Sequence, residues 1–451
     1  MTNLAAFKAY DVRGRMPEEL DDSLAYDIGR AYAAFVKPRS VAVGYDIRLS
    51  SPGLAAALKR GLTESGVEVF DIGLCGTECS YFATAEWKLD GGIMVTASHN
   101  PPDYNGMKFV REGARPISAD TGLQDMAGLI AARYLPEAVA TPGVERALDI
   151  HPNYIRHLLG YVDVKALRPL KVVVNAGNGG AGLIVDELAP HLPFEFIRIN
   201  HEPDGNFPNG IPNPMLTENR ASTRDAVLDN KADVGLAWDG DYDRCFFFDE
   251  QGTFIEGYYL VGLLAEYFLR REPGARIVHD PRLTWNTVDV VTRAGGVPVL
   301  SKSGHAFIKQ KMREVDGAYG GEMSAHHYFR SFAYCDSGMI PWLLVLAVIS
   351  ESGKTLSQLV GERMRLFPAS GEINTRLEGS AKTVIERAQQ AYAGGATSVD
   401  FTDGLSVEFP QWRFNLRGSN TEPLVRLNVE SRGSEALMRE KTDELLRLIR
   451  R

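Results

Sequence analysis

Residues 41–46 have the sequence VAVGYD, and the pattern that follows them decides the fold. This short apolar run predicts a buried strand. A helix is expected over residues 52–65, because leucines recur there at helical spacing and form one apolar stripe. Further strands are predicted at residues 67–72 and 92–96, and the second of them leads directly into Ser98. The first part of the chain therefore predicts an α/β unit with a polar loop at a strand end.

The same strand–helix–strand order recurs twice. The second copy spans residues 171–238 and leads into Asp239, and the third spans residues 276–320 and leads into Glu322. Strands that alternate with helices predict parallel sheets with right-handed crossovers. Ligands of such sheets gather at the carboxyl ends of the strands. We therefore expect the three polar loops to be functional and to face a central cleft.

The last part of the chain has a different pattern. Residues 406–409, 413–416 and 425–429 alternate apolar with polar side chains, as antiparallel strands with one buried face do. Residues 435–450 form an amphipathic helix pattern. The sequence therefore predicts three similar α/β domains with mixed or parallel sheets, followed by a smaller α+β domain. The expected domains are residues 1–148, 149–250, 251–367 and 368–451.

The composition is that of an ordinary globular protein. The chain has 451 residues, of which 44% are hydrophobic and 24% charged, and its net charge is −9. An acidic balance argues against nucleic acid or membrane partners, although a few arginines in one site are enough to bind a small anion. No targeting segment is apparent, and the apolar residues 339–349 are too few to span a membrane. We expect a cytoplasmic protein with four reduced cysteines: Cys75, Cys79, Cys245 and Cys335.

The sequence TASHNP at residues 96–101 contains the first candidate catalytic residue, Ser98. A hydroxyl at the point where a buried strand becomes a loop is held by a rigid scaffold and stays open to a ligand. Arg13 and Lys108 are predicted in the same domain, where they would add positive charge. Each of the two is, by itself, more often a surface charge.

The sequence DGDYDR at residues 239–244 places carboxylates at every second position. On an extended segment such side chains point the same way, so Asp239, Asp241 and Asp243 would converge. Three converging carboxylates need a cation, and hard oxygen ligands suit Mg²⁺. A solvated acidic turn is the alternative, but the run follows an apolar strand that anchors it. The spacing does not fit a calcium-binding EF-hand.

Two further loops carry polar residues of the kind that bind sugar phosphates. Residues 320–327, GGEMSAHH, offer a carboxylate, a hydroxyl and imidazoles, which match sugar hydroxyl groups. Residues 417–422, RGSNTE, offer a guanidinium group, hydroxyls and an amide, which match a phosphate. A loop without function and a plain turn between strands are the respective alternatives.

Residues 177–182, GNGGAG, match the glycine pattern of dinucleotide-binding proteins. That pattern also requires an acidic residue at the end of the next strand, where Asn200 and His201 stand here. We therefore interpret these glycines as tight packing between a strand and a helix, and we do not expect a nicotinamide cofactor.

The four motifs together resemble the α-D-phosphohexomutase family over essentially the whole chain. The motifs occur in the family's order, one in each expected domain. GEMSAHHYF at residues 321–329 and DGNFP at residues 204–208 are most similar to the members that act on mannose phosphates. The resemblance implies a phosphomutase that interconverts mannose 6-phosphate and mannose 1-phosphate and supplies GDP-mannose synthesis. A phosphoserine enzyme and a hexose 1,6-bisphosphate, which is both intermediate and activator, would carry the phosphoryl group.

The resemblance also implies roles for individual residues. Ser98 would carry the phosphoryl group, and it would bind one Mg²⁺ together with Asp239, Asp241 and Asp243. Arg13, Lys108, Arg244 and His326 would take part in catalysis, with either Lys108 or His326 moving the hydroxyl proton. The implied substrate contacts are Tyr10, Arg282, His305, Glu322, Ser324, His326, Arg417, Ser419, Asn420 and Thr421.

Three alternatives stay open at this point. The sugar could be glucose, or both hexoses could be accepted, because the two differ only at C2. A Mg²⁺-dependent sugar phosphatase would use the same serine and aspartates but would admit water, and a protein without activity would only bind sugar phosphates. The expected partner is a small hexose phosphate, with a monomer or a small homo-oligomer as the assembly.

Overall fold

The computed structural model of the chain describes residues 4–418 and 424–450. The described chain divides into two compact units. Unit 1 contains residues 4–254 and 331–353, and unit 2 contains residues 255–330 together with the described residues from 354 onward.

The strands, in chain order, are β1 (Val12–Arg15), β2 (Ser40–Tyr45), β3 (Glu68–Leu74), β4 (Gly91–Val95), β5 (Tyr104–Arg111), β6 (Arg115–Pro116), β7 (Glu145–Ala147), β8 (Lys171–Asn175), β9 (Glu195–Ile199), β10 (Val234–Trp238), β11 (Cys245–Phe248), β12 (Phe254–Ile255), β13 (Arg276–His279), β14 (Val297–Leu300), β15 (Tyr319–Gly321), β16 (His327–Phe329), β17 (Cys335–Asp336), β18 (Ile373–Arg376), β19 (Ser398–Asp400), β20 (Leu405–Glu408), β21 (Trp412–Gly418) and β22 (Leu424–Ser431).

The α-helices are α1 (Asp22–Val36), α2 (Ser51–Glu64), α3 (Thr77–Glu86), α4 (Leu123–Ala131), α5 (His151–Leu159), α6 (Ala181–Leu188), α7 (Ala221–Asn230), α8 (Gly257–Arg271), α9 (Trp285–Arg293), α10 (His305–Glu314), α11 (Ile340–Ser352), α12 (Leu356–Leu366), α13 (Ala381–Tyr392) and α14 (Glu435–Ile449).

Unit 1 contains two mixed sheets. The first has the order β1-β5-β4-β2-β3-β7, with β6 paired to β5. Strands β4, β2, β3 and β7 are parallel, β5 pairs antiparallel with β4, and β1 pairs antiparallel with β5. The second has the order β12-β11-β10-β8-β9, in which β10, β8 and β9 are parallel and β11 is antiparallel to β10. The loop that contains Ser98 follows β4, and the acidic loop of residues 239–244 follows β10.

The predicted elements of unit 1 form for the expected reasons. Helix α2 begins with Pro52 in its first turn, and the apolar stripe of Leu54, Leu58 and Leu62 is fully buried. The side chain of Asp21 caps α1 by accepting a hydrogen bond from the backbone N–H of Leu24, at 2.8 Å. The apolar residues near 340 form the buried helix α11, as predicted. No single helix among the described residues is long and apolar enough to cross a membrane.

Unit 2 contains one mixed and one antiparallel sheet. In the first, β14, β13 and β15 are parallel, and β16 pairs antiparallel with β15. The second has the order β18-β22-β21-β20-β19 and is antiparallel throughout. Helices α13 and α14 pack on its apolar face. The four sheets confirm the predicted fold class of three α/β domains and one α+β domain, with the addition of antiparallel edge strands to the parallel ones.

Candidate active site

Ser98 lies at the carboxyl end of β4, as predicted, and its side chain is buried. Its Oγ donates a hydrogen bond to Oδ2 of Asp239 at 2.8 Å and lies 2.9 Å from Nδ1 of His99. The backbone of Ser98 is left-handed, with φ of 50°. A residue other than glycine in this conformation costs about 1–2 kcal/mol, so the surrounding contacts must hold it there.

Arg48 holds the serine loop. Its guanidinium group is almost completely buried and donates four hydrogen bonds to backbone carbonyl groups of this loop. Nη2 donates to the carbonyl oxygens of Ser98 (3.0 Å) and Asn100 (2.6 Å), and Nη1 donates to those of Pro101 (2.7 Å) and Tyr104 (2.9 Å). One side chain from the loop after β2 therefore fixes the path of the chain around Ser98.

The acidic loop is a turn and not an extended segment. The backbone N–H of Tyr242 donates to the carbonyl oxygen of Asp239 at 3.1 Å, and Tyr242 has a left-handed φ of 45°. The expected reason for convergence was therefore wrong. The carboxylates converge nevertheless, because the turn brings oxygen atoms of Asp239, Asp241 and Asp243 within 4.8 Å of one another.

Two cations pair with these three carboxylates. Lys108 Nζ lies 2.7 Å from Oδ2 of Asp241 and 2.6 Å from Oδ2 of Asp243. Arg244 donates from Nε and Nη2 to Oδ2 of Asp239, at 2.9 and 2.7 Å. All five side chains are buried, so the paired charges are screened little by water.

Burial and neighbouring charges shift the pKa values of these groups in different directions. Burial raises the pKa of Asp239 to about 6. Burial alone would also raise the pKa of Asp241, but Lys108 lowers it below its ordinary value. In the same way, burial opposes the charge of Lys108, but Asp241 and Asp243 raise its pKa above the ordinary lysine value. Lys108 is therefore a stable cation.

Close backbone contacts join the two polar loops of unit 1. A Cβ atom on Gly240 would lie 2.6 Å from the carbonyl oxygen of Ser98, so only glycine fits there. Gly179, from the glycine-rich segment after β8, would place a Cβ 2.8 Å from the carbonyl oxygen of Gly240. Gly179 therefore packs the turn between β8 and α6 against the acidic loop.

The residues of the acidic loop fit a divalent cation. All the candidate ligands are oxygen atoms, the type that Mg²⁺ prefers. Oδ1 of Asp241 is buried and has no hydrogen-bond partner among residues 4–418 and 424–450. A buried carboxylate oxygen without a partner is costly unless a ligand or ion satisfies it. Three carboxylates against Lys108 and Arg244 also leave the cluster with an excess negative charge.

Arg13 lies beside the serine loop. It donates from Nη1 to Oδ1 of Asn100 at 2.7 Å and from Nη2 to Asp11. Tyr10, the other candidate near the start of the chain, is half-buried just before Asp11. The structure therefore brings Arg13 to the serine loop, and Tyr10 stands three residues before Arg13 in the chain.

The predicted sugar-binding loop of unit 2 is organised around Glu322, which follows β15. Its carboxylate accepts hydrogen bonds from the backbone N–H of Gly304 at 2.9 Å and from the hydroxyl of Tyr328 at 2.6 Å. His326 Nδ1 lies 3.4 Å from Glu322 and 3.2 Å from Oγ of Ser324. Burial would raise the pKa of Glu322, but His326 and Arg282 lower it below its ordinary value.

Arg282 connects this loop to the end of β13. Its Nη2 donates to Asp280 at 2.7 Å, to Glu322 at 3.2 Å and to Ser324 at 3.1 Å. Asp280 also accepts the backbone N–H of Met323 at 2.9 Å. Burial would lower the pKa of Arg282, but the surrounding carboxylates raise it above its ordinary value. Glu322, Ser324, His326 and Arg282 are thus brought together.

His305 is the first residue of α10 and is half-buried. It directly follows Gly304, whose backbone N–H is bonded to Glu322, so it lies next to the predicted sugar-binding loop.

Arg417 is the described part of the predicted phosphate-binding loop. It lies near the end of β21 opposite Arg426 of β22. Its Nη2 donates to Oε2 of Glu372 at 3.0 Å, and its Nη1 lies 3.6 Å from Oδ2 of Asp403. Three other candidates, Ser419, Asn420 and Thr421, lie outside the described residues.

Sequence reasoning missed four side chains that organise these loops. Arg48 holds the serine loop, and Asp280 accepts a hydrogen bond from the backbone of Met323. Glu372 accepts a hydrogen bond from Arg417, and the hydroxyl of Thr77 donates to Asp241. A signal existed for three of them, since Arg48, Thr77 and Asp280 follow the carboxyl ends of β2, β3 and β13, where ligands gather. Glu372 has no such signal in the sequence.

Comparisons with known proteins match this arrangement along the whole chain. Models of the phosphoglucomutase/phosphomannomutase family match residues 4–131 (alpha/beta/alpha domain I), 152–252 (domain II), 256–367 (domain III) and 372–447 (C-terminal domain). The chain is 61% identical over 447 residues to "Phosphohexose mutases" of Xanthomonas campestris pv. campestris strain B100, and the match covers 99% of both chains.

Two further relatives extend the comparison to a named activity and to a solved structure. A phosphomannomutase of Escherichia coli strain K12 is 58% identical over 455 residues, with both chains fully covered. A crystal structure of a phosphoglucomutase/phosphomannomutase family protein from Burkholderia thailandensis superposes with a TM-score of 0.90 at 33% identity and covers 100% of this chain and 98% of its own.

Proposed function

The chain belongs to the phosphoglucomutase/phosphomannomutase family and is a phosphomutase that acts on sugar phosphates, and we propose that it interconverts mannose 6-phosphate and mannose 1-phosphate through a phosphoserine at Ser98. Relatives named phosphomannomutase at 58–59% identity support mannose as the sugar. The product, mannose 1-phosphate, would supply GDP-mannose synthesis.

The observation that carries the proposal is the environment of Ser98. Its hydroxyl is held in a strained loop and directed at Asp239, with the guanidinium group of Arg244 bonded to the same carboxylate oxygen. Phosphoryl transfer passes through a loose transition state, for which positioning and charge neutralisation matter most. The fixed backbone of the serine loop supplies the positioning. The buried cations and the converging carboxylates near the Ser98 hydroxyl supply the groups for charge neutralisation.

In the proposed reaction the phosphoryl group leaves Ser98 and later returns to it. The bond between phosphorus and Oγ breaks, a bond from phosphorus to a sugar hydroxyl oxygen forms, and the hydroxyl proton passes to a base. The resulting hexose 1,6-bisphosphate reorients, and its other phosphoryl group returns to Ser98. Free hexose 1,6-bisphosphate would therefore activate enzyme that lacks the phosphate.

Two residues are candidates for accepting the hydroxyl proton. Lys108 lies between Asp241 and Asp243, and His326 lies beside Glu322 and Ser324. Either Lys108 or His326 would accept the proton and pass it on.

Asp239, Asp241 and Asp243 would hold one Mg²⁺, together with the oxygen of Ser98. Bound there, the ion would supply positive charge to the transferred phosphoryl group. The chain itself supplies the rest: Arg48 keeps Ser98 in place, and Arg244 fixes the orientation of Asp239.

The binding of the sugar phosphate is proposed for unit 2. Glu322 and Ser324 present a carboxylate and a hydroxyl, which suit sugar hydroxyl groups, and the Arg417 loop presents a guanidinium group, which suits the phosphate that is not transferred. Arg282 and His305 would complete the contacts.

The proposal is tested by comparing kcat/KM of the pure protein on mannose 1-phosphate and glucose 1-phosphate, with inorganic phosphate measured in the same samples. We expect a preference for mannose 1-phosphate and almost no phosphate release. Phosphate release in step with substrate loss would identify a phosphatase, and equal efficiency on both sugars would overturn the mannose assignment. Ser98→Ala should bind substrate without turnover.

A further inference from the structure

Glu372 lies among three arginine side chains in unit 2. Its Oε2 is 3.0 Å from Nη2 of Arg417 and 3.6 Å from Nη1 of Arg282, and its Oε1 is 3.6 Å from Nη1 of Arg426. The Glu372 side chain is only 7% exposed. The carboxylate is therefore enclosed by the guanidinium groups that surround it.

The three arginines come from distant parts of the chain. Arg417 and Arg426 are directly opposite each other on the paired strands β21 and β22, so their side chains project from the same face of that sheet. Arg282 follows β13 in the other sheet of unit 2. We call Arg282, Arg417 and Arg426 the arginine cluster. Only Glu372 contacts all three of its members among the described residues.

Glu372 is charged in this environment. Burial would raise its pKa, but Arg282, Arg417 and Arg426 lower it below the ordinary glutamate value. Other carboxylates face the cluster as well: Asp280 and Glu322 pair with Arg282, and Asp403 lies near Arg417. The positive charge of the cluster is therefore already balanced by carboxylates of the protein.

The arginine cluster can still donate hydrogen bonds to an anion, although carboxylates of the protein balance its charge. Nε of Arg417 and Nε of Arg282 are buried N–H groups with no hydrogen-bond partner among the described residues. A buried donor without a partner is costly, and an anionic ligand can satisfy it. A phosphate at the cluster would then share its guanidinium groups with Glu372.

We propose that Glu372 is a positioning residue that acts as the resident counter-ion of the arginine cluster and weakens phosphate binding there. This inference rests on the proposed function, in which the Arg417 loop binds the phosphate that is not transferred. Each catalytic cycle must release that phosphate once so that the bisphosphate can reorient. A fixed carboxylate keeps the guanidinium groups in place and repels the bound phosphate, so the intermediate leaves the cluster readily.

Glu372→Gln tests the proposal, because it removes the charge and keeps the size of the side chain. We expect KM for mannose 1-phosphate to fall about three- to thirty-fold, since one close like-charge repulsion is removed. We expect kcat to fall as well, because release of the intermediate becomes slower. Glu372→Asp keeps the charge and should restore KM to within about two-fold of wild type. Glu378→Gln, at an exposed position nearby, is the matched control.

The outcomes separate this inference from the proposed function. If Arg417→Ala raises KM but Glu372→Gln also raises it, Glu372 only holds the arginines in place and the counter-ion proposal is wrong. An unchanged KM in Glu372→Gln would overturn the proposal too. If Arg417→Ala leaves KM unchanged, the phosphate assignment of the Arg417 loop fails as well. Titration calorimetry with inorganic phosphate on Glu372→Gln and wild type should show the same tightening as KM.

Discussion

Replacing Arg48 with methionine should release the loop that holds Ser98 while leaving the rest of unit 1 folded. The four hydrogen bonds from the guanidinium group reach carbonyl oxygens across residues 98–104. A hydrogen bond from a charged donor contributes about 1.5–3 kcal/mol, so the four sum to at most ~6–12 kcal/mol. The freed carbonyl groups can bond to water once the loop opens, which recovers most of that sum.

We therefore expect the free energy that favours the ordered loop over the open loop to fall by about 3–4 kcal/mol. If turnover requires the ordered loop, this corresponds to a fall in kcat of about 10²–10³-fold. Arg48→Lys should show an intermediate loss, because one ammonium group cannot present the same fork to four acceptors. The measurements are kcat on mannose 1-phosphate and hydrogen exchange of peptides that cover residues 98–104. Exchange should rise in those peptides and stay unchanged in α2 and β4.

Arg39→Met is the matched control, since the side chain of Arg39 is 91% exposed and pairs with Asp90 at the surface. It should keep wild-type kcat and hydrogen exchange. The reasoning would be refuted if Arg48→Met kept wild-type kcat with an unchanged loop, or if the variant lost its global fold and showed no selective effect on residues 98–104.

Two further variants test the charges of the site. Asp241→Asn should weaken Mg²⁺ activation of turnover at least about ten-fold, because it removes one of three converging carboxylates. The exposed control Asp225→Asn should keep the Mg²⁺ dependence of wild type. If both variants showed the same Mg²⁺ dependence, Asp241 would not be part of the metal site. The arginine cluster lowers the pKa of Glu372 in the folded protein, so the charged carboxylate stabilises the fold. This stabilisation is fully present above about pH 4.3, the ordinary pKa of glutamate, and is lost as the pH falls through the lowered pKa. Urea unfolding should show Glu372→Gln less stable than wild type near pH 7 and the difference shrinking toward about pH 3; a constant difference would contradict this charge assignment.

The sequence predicted where the functional loops begin, and the reason is local. Buried strands followed by polar residues are visible as short apolar runs, so the positions of Ser98, Asp239 and Glu322 at strand ends could be predicted. The sequence also predicted that Glu322 and Ser324 share one loop, because both follow the same short apolar run.

The supporting contacts could not be predicted, because they depend on tertiary structure. Arg48 lies about fifty residues from the loop that it holds, and Glu372 contacts Arg282 after β13 as well as Arg417 in another sheet. In the sequence Glu372 is an ordinary charged residue in a loop, and the position of Arg48 after a strand does not reveal which loop it contacts. The left-handed backbone of Tyr242 was also not predictable, since glycine is the residue that usually signals this conformation, and the extended segment expected around Asp241 was wrong for that reason.

The most direct test of the central claim follows a labelled phosphoryl group in a single turnover. Protein that carries radioactive phosphate on Ser98 is mixed with unlabelled mannose 1-phosphate in the absence of free bisphosphate, quenched at increasing times and separated into protein, sugar phosphates and inorganic phosphate. The phosphoserine mechanism predicts that label leaves Ser98 and appears in mannose bisphosphate and mannose 6-phosphate at the rate of turnover, with almost none as inorganic phosphate. Product formation while the label stays on Ser98, or release of the label as inorganic phosphate, would contradict it.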